Sequence, residues 1–168
     1  MKLEEEGQIA SIELPDGWIE EAEEPSMFSG GRHSRTFSSP NNSEVRFTFF
    51  YRGYPVSEAD AEKFSEALGK PPHMVLSAEF HSLSEILGNL SDQDVFKPLI
   101  SKTDVLNGKT VLVVEGEWLL ADQYCQQIFI NADGSGTVVQ EIFFQAPKLE
   151  YARHMKMMKQ IFSAINWK

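Results

Sequence analysis

Glu115 and Glu117 stand two apart in an alternating run, and the two-residue period of a strand puts both carboxylates on one face. Glu141, in a later run of the same kind, can approach them from a neighbouring strand and so supply the paired carboxylates that general acid–base chemistry requires. Solvated positions on an antiparallel sheet give the same pattern. The remaining chemistry-bearing residues are dispersed. His33, His73, His81 and His154 occur singly, with no i, i+3 or i, i+4 pair to set two metal ligands on one helix face. Cys125, the only cysteine, lies in an apolar alternation and reads as a small buried hydrophobe. The turn Asn131-Ala132-Asp133-Gly134-Ser135-Gly136 is rich in oxygen. A calcium-loop alignment nevertheless puts Phe129 at the first ligand position and Gln140 where the bidentate carboxylate belongs, so the segment reads as a hairpin turn. No phosphate-loop, dinucleotide, nucleophile-elbow or zinc-protease string occurs. No catalytic residue, metal or cofactor is expected.

Charge narrows the partner classes. Lys and Arg number 15 against 25 Asp and Glu, a net charge of −10, which argues against nucleic acid, where phosphate contacts supply most of the affinity. The excess is local: Glu4, Glu5, Glu6, Glu13, Asp16, Glu20, Glu21, Glu23 and Glu24 face the single base Lys2 in the first 24 residues. Glu20, Glu21, Glu23 and Glu24 are therefore candidate contacts for a basic protein partner, the plainer reading being a solvated face. Tyr51-Arg52-Gly53-Tyr54-Pro55 sets a guanidinium among aromatics beside a turn, a composition favoured at interaction hot spots, and Arg52 and Tyr54 join the candidate contacts. The basic residues Lys148, Arg153, Lys156 and Lys159 near the carboxyl end complement the acidic start within the chain or serve an acidic partner.

The elements that would position these residues follow from periodicity. A length of 168 residues predicts one domain over 1–168, with 1–7 frayed. No apolar run approaches the ~18 residues of a membrane span. MKLEEEGQIA lacks the apolar stretch of a signal peptide, so the chain as given reads as cytoplasmic; a periplasmic, lumenal or lipid-anchored place applies if a leader has been removed. A short strand over 8–14, a second over 34–38 and a well-patterned one through Val45, Phe47, Phe49 and Tyr51 make the first half. Ser57 with Asp60 caps a helix through Ala61, Phe64 and Leu68, and a second short helix ends at Gly88. From Ser101 four antiparallel strands are expected, led by the Asn107-Gly108 hairpin. On the longest, Leu112, Val114, Gly116, Trp118 and Leu120 form an apolar face, on which a terminal helix is expected to bury Trp118 beneath the stripe Tyr151, Met155, Met158, Phe162. Strands, helices, meander and helix in that order predict an α+β fold: a central antiparallel sheet of about six strands flanked by helices, with the C-terminal helix packed on it.

The opening Ile12-Glu13-Leu14-Pro15-Asp16-Gly17-Trp18, the Asn107-Gly108 hairpin into Val111 to Trp118, and the ending Phe162-Ser163-Ala164-Ile165-Asn166-Trp167 resemble the PsbP/DcrB-like group. That group includes a photosystem II extrinsic subunit, a Ran-binding nuclear transport factor and bacterial chaperones of secreted effectors, which share protein binding without a common catalytic motif. The resemblance implies a non-enzymatic protein-binding or adaptor domain, chaperone-like or immunity-type, and maps no functional residue onto this chain. The alternative is a small enzyme or ligand carrier with a pocket between sheet and helices built on Glu115, Glu117 and Glu141.

Overall fold

Asn107 and Gly108 both take positive φ, 46° and 85°, the geometry a two-residue hairpin turn requires to match strand twist. They join β6 (Phe96–Leu106) to β7 (Lys109–Trp118), which pair from Leu106 and Lys109 at the turn. The computed structural model describes residues 1–22, 33–52 and 55–168. Its main sheet has seven antiparallel strands in the order β3-β4-β5-β9-β8-β7-β6, the others being β3 (Ile19–Glu20), β4 (His33–Ser39), β5 (Asn42–Tyr51), β8 (Gln123–Asn131) and β9 (Val139–Pro147). A second, three-stranded sheet sets β1 (Lys2–Glu6) against β2 (Ile9–Glu13), and β2 against β10 (Asn166–Trp167).

Residues 2–6 are thus paired rather than frayed. Leu3 lies opposite Ile12 and is buried with it, so one apolar residue facing inward anchors a segment whose composition is otherwise that of a solvated tail. The small sheet and helix α4 (Lys148–Ser163) together cover one face of the main sheet. Phe47 is central there, its ring 4.9 Å from Phe144, 5.3 Å from Trp18 and 5.6 Å from Phe162 between centroids. Helices α1 (Glu58–Gly69), α2 (Ser77–Ser82) and α3 (Ser84–Leu87), followed by a single 3-10 turn at Gly88–Ser91, cover part of the other face. They bury Phe64, Phe80, Ile86 and Leu90 against Leu112, Val114 and Phe129. Ser57 caps α1, its hydroxyl oxygen accepting from the Asp60 amide at 3.4 Å.

One layer assignment is corrected. The terminal helix does not cover the face of Leu112, Val114, Gly116 and Trp118; that face meets α1–α3, and α4 lies over Val111, Val113, Glu115 and Glu117. The polar positions of that face suit the helix that lies on it. Lys148 at the start of α4 reaches Glu117 at 2.5 Å and Asp122 at 3.0 Å, so the partly polar strand face meets the basic helix. Trp118 is half-buried at the strand end, edge-on to Phe96 at 5.0 Å, and Gly116 leaves the space for the Phe96 ring that any Cβ would fill.

Candidate functional site

The three carboxylates first considered for acid–base work do not converge. Glu115 lies in the cross-strand row with Gln126 and Phe144, under α4, whereas Glu141 lies in the row of Phe129 and Leu112, on the side of α1–α3. An antiparallel sheet keeps laterally paired residues on one face, so Glu115 and Glu117 are separated from Glu141 by the sheet itself. Burial pushes the Glu115 carboxyl above its ordinary range, with Lys159 and Lys102 pulling it back in part. Cys125 is buried and its thiol is pushed up to about 12, far from a reactive thiolate. In the 131–136 turn, hydrogen bonds from Ser135 and Thr137 outweigh burial, which would raise it, and hold the Asp133 carboxyl down at about 2. Its oxygens are engaged by the loop's own amides and hydroxyls, including Gly136 N–H at 3.2 Å. Among the described residues no cluster of three or more His, Cys, Asp or Glu converges on a common point.

The candidate partner contacts are placed unevenly. Glu20 receives two parallel bonds from Arg35, at 2.8 and 2.9 Å, and Glu21 pairs with Arg46 at 2.9 Å. Both therefore complement β4 and β5 within the chain. Glu23, Glu24 and Tyr54 lie outside the described residues. Arg52, 5% exposed, lies just past the end of β5 and donates from Nε to Glu141 at 3.1 Å, from Nη1 to the Glu85 carbonyl at 3.0 Å, and from Nη2 to Glu141 and the Ile86 carbonyl. It ties β5, β9 and α3 together.

What the structure does expose is apolar. Where α2 faces the outer strand β6, a groove of about 560 Å³ is walled by Met74, Leu76 and Phe80 on one side and by Phe96, Leu99 and Leu119 on the other. Leu76 is 71% exposed, Met74 53%, Leu99 49% and Leu119 43%. Its ionisable lining groups are His81 and Lys97. β6 is the last strand of the sheet, and the chain pairs only its far half: Val75 N–H donates to the Ser101 carbonyl at 2.8 Å, and Thr103 N–H to the His73 carbonyl at 2.9 Å. Beyond that point, over 97–100, the outer edge borders the groove, with no strand paired to it among the described residues. A register shift between Pro98 and Ile100 turns this stretch, a bulge of the kind that manages exposed edges. Sequence reasoning missed the groove. Its one visible trace is Leu99-Ile100 and Leu119-Leu120, adjacent apolar pairs that break the alternation at two strand ends.

The fold is similar to that of cyanobacterial PsbP from Synechocystis sp. PCC 6803, at a TM-score of 0.61 and 8% identity over 100% of this chain and 92% of that one. It is also similar to PA94, a protein of unknown function from Pseudomonas aeruginosa, at a TM-score of 0.53 and 16% identity over 95% and 92%. No protein-family model and no curated protein matches the sequence. The resemblance drawn from the opening strand, the hairpin and the closing helix therefore holds for the fold: an α+β, PsbP-like arrangement over the whole chain. Likeness at this identity carries no residue roles. No described helix is long and apolar enough to cross a membrane.

Proposed function

We propose that this protein is a non-enzymatic binding module, chaperone-like in kind, that holds an extended apolar segment of another polypeptide in the groove between α2 and β6. The observation that carries this reading is the groove itself, with four large apolar side chains each more than two-fifths exposed beside a strand edge to which no strand pairs among the described residues. Contiguous exposed apolar surface marks interaction sites in folded domains. The hollow takes the side chains of an extended segment laid beside the strand, with the bulge and the missing N–H at Pro98 leaving part of the edge to hydrogen-bond with it. The net charge of −10 favours a partner that is basic outside that segment, by speeding encounter more than by tightening the complex.

The test is a comparative capture from source-cell lysate with wild-type bait, the groove variant Leu76→Asp/Leu99→Asp, and Leu149→Asp, which alters an exposed apolar residue on α4 instead. A protein retained by the wild type and by Leu149→Asp and lost with the groove variant supports the reading. Equal recovery by all three baits overturns it.

A further inference from the structure

A second hollow, of about 360 Å³, opens on the same side of the main sheet, where α3 and the 3-10 turn stop short of β5 and β9. Leu90 separates it from the groove, and its walls include the half-buried aromatic rings of Phe50, Phe143 and Trp118. At its base is Gln127, 8% exposed, in the row between Val114 and Phe143. Its side-chain amide makes no hydrogen bond to any described residue. The polar atoms of this amide face the open hollow, where they can pair with a bound molecule.

The charged groups nearby are already occupied. Arg52 is taken up by Glu141 and by the carbonyls of Glu85 and Ile86. The Glu85 carboxylate is turned to α1, where it accepts from the Ser57 hydroxyl at 2.9 Å and the Ser57 amide at 3.2 Å. An ionic ligand would lose its hydration here without gaining a counter-charge. Aromatic walls, one amide offering a donor and an acceptor side by side, and a volume at the small end of ligand pockets fit a different class. We propose that this hollow binds a small, planar, uncharged molecule with one amide-like donor–acceptor edge, the edge seated on Gln127 and the ring against Phe50 and Phe143. This site is separate from the groove and does not depend on the protein-binding reading.

The experiment is a titration of the isotopically labelled full chain with three neutral lactams, 2-pyridone, isoindolinone and 2-quinolinone, beside the charged comparators 2-naphthoate and benzyltrimethylammonium. Resonances of the Gln127 side-chain amide and the Trp118 indole N–H are followed by NMR. At least one lactam is expected to shift both resonances saturably in the millimolar range or below. Gln127→Leu, a substitution of similar size on a sheet, is expected to weaken that lactam about tenfold or more, the effect of losing paired hydrogen bonds to a buried amide. Phe50→Ala, at a half-buried position, is expected to weaken it as well. The proposal fails if no lactam shifts these resonances, if Gln127→Leu binds as well as wild type, or if either charged comparator binds as tightly as the best lactam.

Discussion

Arg52 and Glu141, 89 positions apart in sequence, form a buried ion pair on the α1–α3 side of the sheet, with Nε 3.1 Å from Oε1. The pair fastens the end of β5 to β9, and the two carbonyls to which Arg52 also donates fasten α3 to both. Taking one charge from such a pair costs more than the pair itself contributes, because the remaining charge keeps its desolvation penalty. Arg52→Ala is expected to destabilise by about 3–5 kcal/mol. The apolar double variant Arg52→Met/Glu141→Leu is expected to regain most of that loss. Chemical denaturation of the three proteins checks it. A single variant as stable as wild type would show that the pair does not hold the layers together.

Phe47 and Trp118 separate the two faces. Phe47 is fully buried among Trp18, Phe144 and Phe162, and Phe47→Ala is expected to cost about 3–5 kcal/mol. Trp118, half-buried at a strand end and away from α4, should cost clearly less when truncated. Thermal melts of Phe47→Ala and Trp118→Ala decide the matter. A larger loss at Trp118 would return the main core to its side of the sheet.

Glu115 predicts a pH effect of known sign. Burial beneath α4 raises its pKa in the folded state, against the opposing pull of Lys159 on α4, the Tyr151 hydroxyl on the same face and Lys102 on β6. The folded protein then holds this proton more tightly than the unfolded chain. Stability from this group therefore rises as pH falls through the folded pKa, and the penalty is complete above it. Glu115→Gln is expected to melt slightly higher than wild type at pH 7, within the ~2–4 °C that 1 kcal/mol moves a chain of this size. The difference should close below about pH 4, where the unfolded carboxyl is also protonated. A variant that melts lower at pH 7, or a gap that persists in acid, would contradict the burial argument.

How much of this was legible in the sequence depends on whether the signal was local. The Asn107-Gly108 hairpin and the Ser57 cap are each set by residues within a few positions and stand as read, and of the α4 stripe Tyr151, Met155, Met158 and Phe162 all but the partly buried Met155 are buried. The face of each strand was not legible in the same way. Every turn can shift the register by one residue, and one residue exchanges the faces. Glu141 therefore fell on the far side from Glu115, the continuous apolar runs Val111 to Val114 and Ile142 to Phe144 leaving the faces undistinguished, and Trp118 turned away from α4. Helix α2 escaped notice because its six residues bury only Phe80. β1 escaped because one inward leucine among glutamates carries little pattern. The groove and the bare Gln127 amide arise from elements distant in sequence, and no spacing announces either.

The most direct measurement of the groove's role is the affinity of phage-selected peptides for the wild-type protein and for Leu76→Asp/Leu99→Asp, with the Val75, Leu99 and Ile100 amide resonances followed by NMR. A groove that takes extended apolar segments predicts selected sequences with an apolar core, shifts confined to those amides and their neighbours, and binding at least about tenfold weaker to the variant, as expected when charge enters an apolar contact. Selected peptides without an apolar core, or equal affinity for the two proteins at unchanged stability, would contradict it.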